Sequence, residues 1–399
     1  MDQETSARWP SVTFEQRSWL PTDPHMDPWQ RIRVSRPYRS AVVPPVVDAV
    51  PAVSSLTAQA VEEATVDVVR FDAEMAALPV PMPTVLLRTE SASSSQIEHL
   101  TTSARNLALA ALGQPARQNA TLVAANVEAM TAALAGDDDV TSTTILAVHR
   151  VLLGASDPDA AGQWRTEQVW IGTSSLSPHQ ADYVAPHHEH VRAAIDDLTR
   201  FAARRDLPPL VHAALLHAQF ETIHPFTDGN GRVGRVLVHL AMRRRGLATH
   251  TTVPVSAGLL RDIDGYVRAL EAYRTGDVDP VVAQVAAAAT AATVNGRALA
   301  TDVLALRETW KDQVAARSDS TAWQLADHLF AQPVVTAEHV ATTLGVSDRA
   351  ARNAIEVLER AEVLRGPSSP LRRPQVWQAP AVLTAMDAFA ARAGRRRGQ

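Results

Sequence analysis

The sequence predicts a mostly α-helical protein with one short β-hairpin and a C-terminal helix–turn–helix unit. Three observations lead there. Apolar positions recur at helical spacing through residues 210–223 and again through 233–245, on either side of a polar, glycine-bearing loop. Between 155 and 186 the helical pattern breaks. Arg165, Val169, Trp170 and Ile171 alternate with polar residues up to Gly172, and Ala181 to Pro186 follow, which is a hairpin signal. Near the C-terminus, helical runs over 336–344 and 347–361 flank Gly345, with Ser347 placed to cap the second.

Composition narrows the function. A chain of 399 residues with 46% hydrophobic content suits two or three domains, and a net charge of −5 marks neither a nucleic-acid binder nor a membrane-surface protein. The absence of cysteine excludes disulfides and thiolate zinc sites and fits a reducing compartment. No apolar run reaches the roughly 18 residues that span a bilayer, and the first residues are not a secretion signal. A cytoplasmic protein without membrane contact is expected, and the arginine- and alanine-rich composition suggests a bacterial source. Lys311 is the only lysine. Phosphate chemistry that needs a P-loop or kinase lysine is therefore closed to this chain and must rest on arginine.

In chain order, residues 1–51 are proline-rich and aperiodic, an arm with Arg31, Arg33, Arg36 and Arg39 clustered around Trp29 and Tyr38. Residues 56–77 read as an amphipathic helix and 78–83 as a proline-marked linker. In the next stretch, Ser94 and Glu98 are four residues apart, on one helix face. Two alanine-rich helices are expected within 103–134, separated near Gly113, and another at 141–153. After the hairpin and His187, His188 and His190 come helices at 191–201 and 210–223.

Residues 224–235 then read His-Pro-Phe-Thr-Asp-Gly-Asn-Gly-Arg-Val-Gly-Arg. This loop feeds a helix N-terminus, where free N–H groups and the helix dipole favour an anion. Gly229 and Gly231 allow the backbone to approach a ligand closely, a nest for phosphate oxygens. Arg232 and Arg235, at i and i+3, project two guanidinium forks from one side of the first turn and suit a polyphosphate. Asp228 beside such a site implies a hard cation, Mg²⁺. His224 is the group of the loop that can take a proton near neutral pH.

The order H-P-F-x-D-G-N-G-R-x-x-R matches, at every fixed position, the signature of the Fic (filamentation induced by cAMP) family. The resemblance covers roughly residues 86–274. It implies transfer of AMP from ATP to a hydroxyl side chain of a protein. His224 would be the general base and Asp228 the Mg²⁺ ligand. Gly229, Asn230 and Gly231 would cradle the α- and β-phosphates, Arg232 and Arg235 would hold the β- and γ-phosphates, and Phe226 would fix the loop from the core. Ser94 and Glu98 resemble the family's inhibitory motif [S/T]-x-x-x-E-[G/N], with His99 in place of Gly or Asn. By that analogy Glu98, on an inhibitory helix within 91–112, would occupy Arg235 and keep ATP in an unproductive pose. The hairpin, with Val169, Trp170, Ile171 and Gly172, stands where the family carries a flap that docks the target by strand addition. Tyr266 would contact adenine.

Beyond 274, residues 277–318 read as one or two alanine-rich helices, a dimer contact or a spacer. From 319 on, the helix–turn–helix with strands near 363–364 and 375–377 resembles a winged helix. Its second helix mixes Arg349, Arg352 and Arg360 with Asp348, Glu356 and Glu359, so DNA is not the expected primary partner. Arg372, Arg373 and a basic tail with Arg392, Arg395, Arg396 and Arg397 leave some affinity for it.

The expected organisation is therefore an arm at 1–83, an all-α Fic core with a β-hairpin flap at 84–318, and a winged helix-turn-helix domain at 319–399. The expected activity is protein adenylylation of a Ser, Thr or Tyr hydroxyl, self-modification included, with homodimerisation open. Removal of AMP, another phosphoryl or nucleotidyl transfer on the same loop, and a DNA-binding regulator that senses nucleotide are the alternatives.

Overall fold

The computed structural model describes residues 9–21, 26–136, 139–172, 177–367 and 374–394. Its elements, in chain order, begin with β1 (Thr13–Arg17), α1 (Pro28–Val34), β2 (Tyr38–Val42), α2 (Ser55–Ala76), α3 (Met82–Ile97), α4 (Ala104–Ala111), α5 (Gln118–Ala135) and α6 (Ser142–Leu153). The hairpin strands β3 (Trp170–Ile171) and β4 (Tyr183–Val184) follow, then α7 (His188–Ala202), α8 (Pro209–Ile223) and α9 (Asn230–Arg244). The remainder comprises α10 (Val255–Leu259), α11 (Ile263–Arg274), α12 (Asp279–Gln313), α13 (Thr321–Ala331), β5 (Val334–Val335), α14 (Ala337–Leu344), α15 (Asp348–Arg360), β6 (Trp377–Gln378) and α16 (Pro380–Arg392). The fold is mostly helical, with three two-stranded antiparallel sheets: β1–β2, β3–β4 and β5–β6.

Two compact units emerge, each discontinuous in sequence. They follow packing rather than the linear segments 1–83, 84–318 and 319–399, because α2, α5 and α12 each run from one unit into the other.

The first unit comprises Met1–Glu63, Ala132–Gly246 and Asp264–Ala286. It is built around α8, which is buried on all sides from Leu210 to Ile223, as befits a central helix. Pro209 opens it at the position where a missing N–H costs nothing, and α7 and α9 pack along it. The N-terminal segment departs from the expected arm. Residues 13–17 and 38–42 pair in register from Thr13–Val42 to Arg17–Tyr38, and Ala41 packs with Tyr183 and Ala185. Strands of five residues with one hydrophobic in two leave too short a pattern to stand out from a proline-rich arm.

The second unit comprises Ala64–Thr131, Leu247–Ile263 and Ala287–Gln399. Here α3 packs on α10, α13 and α16. The alanine-rich run expected as a spacer is instead a core helix, with Ala289, Ala292 and Leu299 of α12 fully buried. Small residues let backbones meet: a Cβ on Gly258 would lie 2.1 Å from the Ala288 carbonyl oxygen. Around the turn at Gly345, which takes φ 64°, the Thr336 and Ser347 hydroxyls accept the His339 and Ala350 N–H groups and cap α14 and α15. The strand pairing differs from the expected wing. β6 pairs with β5, and residue 365 meets it through one bridge, Arg365–Gln378. Arg372, Arg373, Arg395, Arg396 and Arg397 lie outside the described residues. Arg392 closes α16, a helix whose buried Val382, Leu383 and Phe389 were not anticipated in a basic tail.

The stretch 91–112 is also not one helix. α3 ends at Ile97, Glu98 is its C-cap, and α4 starts only at Ala104. The His99 N–H bonds the Gln96 carbonyl and the Leu100 N–H the Ser95 carbonyl, a Schellman termination. His99 consequently sits at φ 62°, the left-handed region that Gly or Asn tolerates best. His99→Gly is expected to stabilise the chain by roughly 0.5–1 kcal/mol, read as a higher denaturant midpoint. An unchanged or lower midpoint would show that His99 gains more from its contacts than it loses to strain.

Candidate active site

The loop of residues 224–229 joins α8 to α9 within the first unit. α8 stops at His224, which takes the left-handed conformation (φ 49°, ψ 62°) while its N–H still bonds the Phe220 carbonyl at 2.9 Å. A bulky residue rarely holds this geometry without support. The support is on the carbonyl side, where Arg165 Nε donates to the His224 oxygen at 2.8 Å and the Arg165 N–H to the Pro225 oxygen at 3.1 Å. The imidazole Nδ1 stands 3.8 Å from the Glu221 carboxylate, one turn back on α8.

Phe226 is fully buried and is the wedge on which the loop folds. Its ring stacks on His149 (centroids 3.7 Å apart, planes 4° apart) and on Trp164 (5.1 Å, 18°). Asn230 then locks the loop: its side-chain amide donates to the Phe226 carbonyl and accepts the Phe226 N–H, both at 2.9 Å. At 3% exposure, Asn230 shapes the loop through its side chain. The anion-facing groups are left to the backbone.

His149 was not visible as a site residue in the sequence. It accepts the Gly162 N–H on Nδ1 at 3.0 Å, so its Nε2–H donates to the Asp228 carbonyl at 3.2 Å. Burial pushes its pKa down to about 4, and it is neutral at physiological pH. The sign of the pH effect follows. The unfolded histidine takes a proton below about 6.5 and the folded one does not until about 4, so stability is full above pH 6.5 and declines as pH falls from there to about 4. His217 and His328, held at about 3 and about 4 by burial, act in the same direction. The expected outcome is a denaturation midpoint that drops across pH 6.5 to 4, less steeply in His149→Phe. Identical slopes would remove His149 from the account.

Gly229 takes φ 81° as the N-cap of α9, with no side chain capping the helix. The first-turn N–H groups of α9 are thereby left to other acceptors. Arg232 and Arg235, in the first and second turns of α9, are 4% and 2% exposed. Arg232 reaches Asp228 at 3.1 Å. Asp228 is the outward group, its side chain 72% exposed, and it also accepts the Gly229 N–H at 2.6 Å. Among the described residues no cluster of three or more His, Asp or Glu forms a metal site. One exposed carboxylate beside a phosphate nest nevertheless fits Mg²⁺, which is commonly held by one or two carboxylates plus substrate phosphates and water. The α8–α9 packing that aligns these groups depends on Gly234, whose Cβ would lie 3.0 Å from His217 and 3.1 Å from Glu221.

Tyr266 is 4% exposed, and its hydroxyl is 2.7 Å from His217 Nε2. Its helical spacing with Leu270 and Tyr273 is that of a core face. Ser94 is fully buried on α3, and Glu98 is exposed at its end, both in the second unit. Asn126 Nδ2 donates to the Ser91 carbonyl and the Ser95 hydroxyl, so the serine run is helix-packing surface. The hairpin forms as expected. Trp170 pairs with Val184 and Ile171 with Tyr183, and the Ala185 N–H bonds the Val169 carbonyl. Ile171 is 38% exposed. Gly172 stands at the end of β3, with φ 151° and a Cβ position 3.0 Å from the Ala181 backbone. Trp170 meets Trp19 edge-on at 5.4 Å, and Ser40 donates to the Ala185 carbonyl.

The loop between these two packed helices carries His224 at the end of α8 and Asp228, Gly229, Arg232 and Arg235 at and beyond the start of α9. Residues 139–242 match the family model described as Fic/DOC family. Protein adenylyltransferase fic-1 of Caenorhabditis elegans is 33% identical over 149 residues, 37% of this chain and 27% of that protein. Protein adenylyltransferase Fic of Nematostella vectensis is 30% identical over 152 residues, 37% of this chain and 32% of that one. The matched part thus spans about a quarter to a third of these relatives. A solved Fic family protein from Desulfovibrio desulfuricans G20 shares the fold, with a TM-score of 0.55 at 23% identity over 85% of this chain and 98% of that one. Residues 139–242 thus form a Fic-like region similar to proteins named protein adenylyltransferases. Among the described residues no helix is long and apolar enough to cross a membrane.

Proposed function

We propose that this chain transfers AMP from Mg²⁺·ATP to a hydroxyl side chain of a protein. The observation that carries the reading is the loop itself: a left-handed His224 at the end of α8, and an uncapped α9 N-terminus with two buried arginines in its first two turns. The α-phosphorus is attacked by the hydroxyl oxygen, the bond to the β-phosphate oxygen breaks, and pyrophosphate leaves. His224 takes the hydroxyl proton, and the Glu221 carboxylate beside Nδ1 is favourable to the imidazolium that results. The α9 amides and the Arg232 and Arg235 forks bind the negative charge on the phosphates. Mg²⁺, held by Asp228 and the nucleotide, would neutralise charge on the leaving group. The test is entry of label into protein from α-labelled ATP and its dependence on His224.

Glu98 acts in this reading as the restraint on transfer, and the β3 edge docks the target segment. Residues 321–378 are read as a winged helix. The exposed face of α15 mixes Arg349, Arg352 and Arg360 with Glu356 and Glu359, which favours a protein contact over DNA as its primary use.

A further inference from the structure

Arg165 has no assigned role, yet it is 4% exposed and spends its guanidinium on three backbone carbonyls. Nε donates to His224 at 2.8 Å, Nη1 to Glu167 at 2.9 Å and Nη2 to Pro186 at 2.5 Å. None of these three acceptors is a carboxylate, so a full positive charge is buried with its hydrogen bonds spent on carbonyl dipoles, and the Glu167 charge acts on it only through space. Desolvation lowers its pKa to about 10, which leaves it charged at neutral pH. A cation in such a place costs stability unless its bonds are needed. A neutral side chain with three donors in one plane does not exist among the amino acids, and only arginine spans three divergent carbonyls at once.

The three acceptors are not random. Glu167 and Pro186 flank the two strands of the hairpin, just outside the Val169–Ala185 bond that closes its base. His224 is the proposed base, in a backbone conformation that needs an external tether. A second tie runs parallel: the Tyr183 hydroxyl, on β4, donates to the Thr222 carbonyl at 2.7 Å in the last turn of α8. The hairpin is therefore bonded to the chain immediately before the catalytic turn and to the turn itself.

We propose that Arg165 is a positioning residue that makes the hairpin and the His224 turn one mechanical piece, so that the hairpin sets the orientation of the base. The inference rests on the adenylyltransferase reading for its effect on turnover, and on geometry alone for its effect on the loop. Removal of the guanidinium loosens the His224 carbonyl and lets the turn relax toward a less strained conformation. The imidazole then no longer points where the hydroxyl proton is delivered. Turnover falls, and ATP binding, which rests on the α9 amides and arginines, stays.

The test compares wild type with Arg165→Ala, Arg165→Lys and the control Arg192→Ala, a neighbouring arginine outside these bonds. Amide hydrogen exchange over residues 222–228, the titration of the labelled His224 ring, Mg²⁺·ATP affinity and AMP transfer are measured on the full chain. Arg165→Ala is expected to speed exchange in 222–228 at least about tenfold and to shift the His224 titration. It should lower kcat about 10- to 100-fold with the ATP KM within about twofold. Arg165→Lys, with three donors on one atom, should recover part of each. Unaltered exchange and an unaltered His224 titration in folded Arg165→Ala would overturn the proposal whatever the activity. So would a loss confined to ATP affinity. If Arg165→Ala does not fold, Arg165→Lys alone decides by the same readouts. Absence of transfer in both wild type and Glu98→Gly would defeat the adenylyltransferase reading while exchange and titration still judged Arg165.

Discussion

His224→Ala is expected to reduce AMP transfer by about 10²–10⁴-fold, the range general-base catalysis contributes. The fold should survive the change. The His224 side chain is 18% exposed and lies at the end of α8, not in its packed body. The bonds that hold the turn run through its main chain, to Phe220 on one side and to Arg165 on the other. Alanine in the left-handed region adds a strain of about 1 kcal/mol, a small part of a domain's stability. His224→Asn separates the two effects, because asparagine tolerates that conformation and cannot serve as the base. Both variants should bind Mg²⁺·ATP, since the α9 N-terminus and both arginines are intact. Transfer within tenfold of wild type in either variant, with ATP binding retained, would deprive the loop of its base.

Glu98→Gly is the second large effect, in the opposite direction: a rise in transfer of about tenfold or more. A carboxylate that competes with nucleotide phosphate for an arginine fork removes one charge-assisted contact, worth about 1.5–3 kcal/mol. Release of that competition restores the contact to the nucleotide. The position is suited to the experiment, because Glu98 is exposed and is the C-cap of α3 rather than an interior residue. Glycine there should leave α3 in place. Glu98→Gln keeps the shape and removes the charge, and it should reproduce most of the rise. If both variants transfer at the wild-type rate, Glu98 does not restrain the enzyme and its resemblance to an inhibitory motif is coincidental.

The loop was legible in the sequence because its chemistry is local. Two glycines, an acid and two arginines within one turn of a helix start reach their places through backbone geometry alone. Of the two glycines expected to take positive φ, Gly229 does so, whereas Gly231 lies within the first turn of α9 with helical backbone. The same holds for the helices around it, whose apolar spacing is strong, and for the hairpin from Val169 to Ala185. What supports the loop was not legible. His149, Trp164 and Arg165 come to Phe226, Asp228 and His224 from 59 to 79 positions away in sequence, and a lone histidine on the apolar face of α6 carries no sign of its partner. Asn230 was assigned to phosphate because its neighbours were; the structure turns its amide inward onto Phe226. The serine run before Glu98 looked polar and is packing surface, since a serine hydroxyl satisfied by its own helix behaves as a small residue. Strands β1, β2 and β5 were missed because segments of two to five residues take their pairing from tertiary contacts.

The account turns on which phosphorus of ATP reaches protein. Full-length wild type, Glu98→Gly and His224→Ala are each incubated with Mg²⁺ and ATP labelled at the α- or the γ-phosphate, in a cell lysate. Label should enter protein from the α-position alone, most strongly with Glu98→Gly and not with His224→Ala. Label from the γ-position, or α-label that persists undiminished without His224, would contradict adenylyl transfer by this loop.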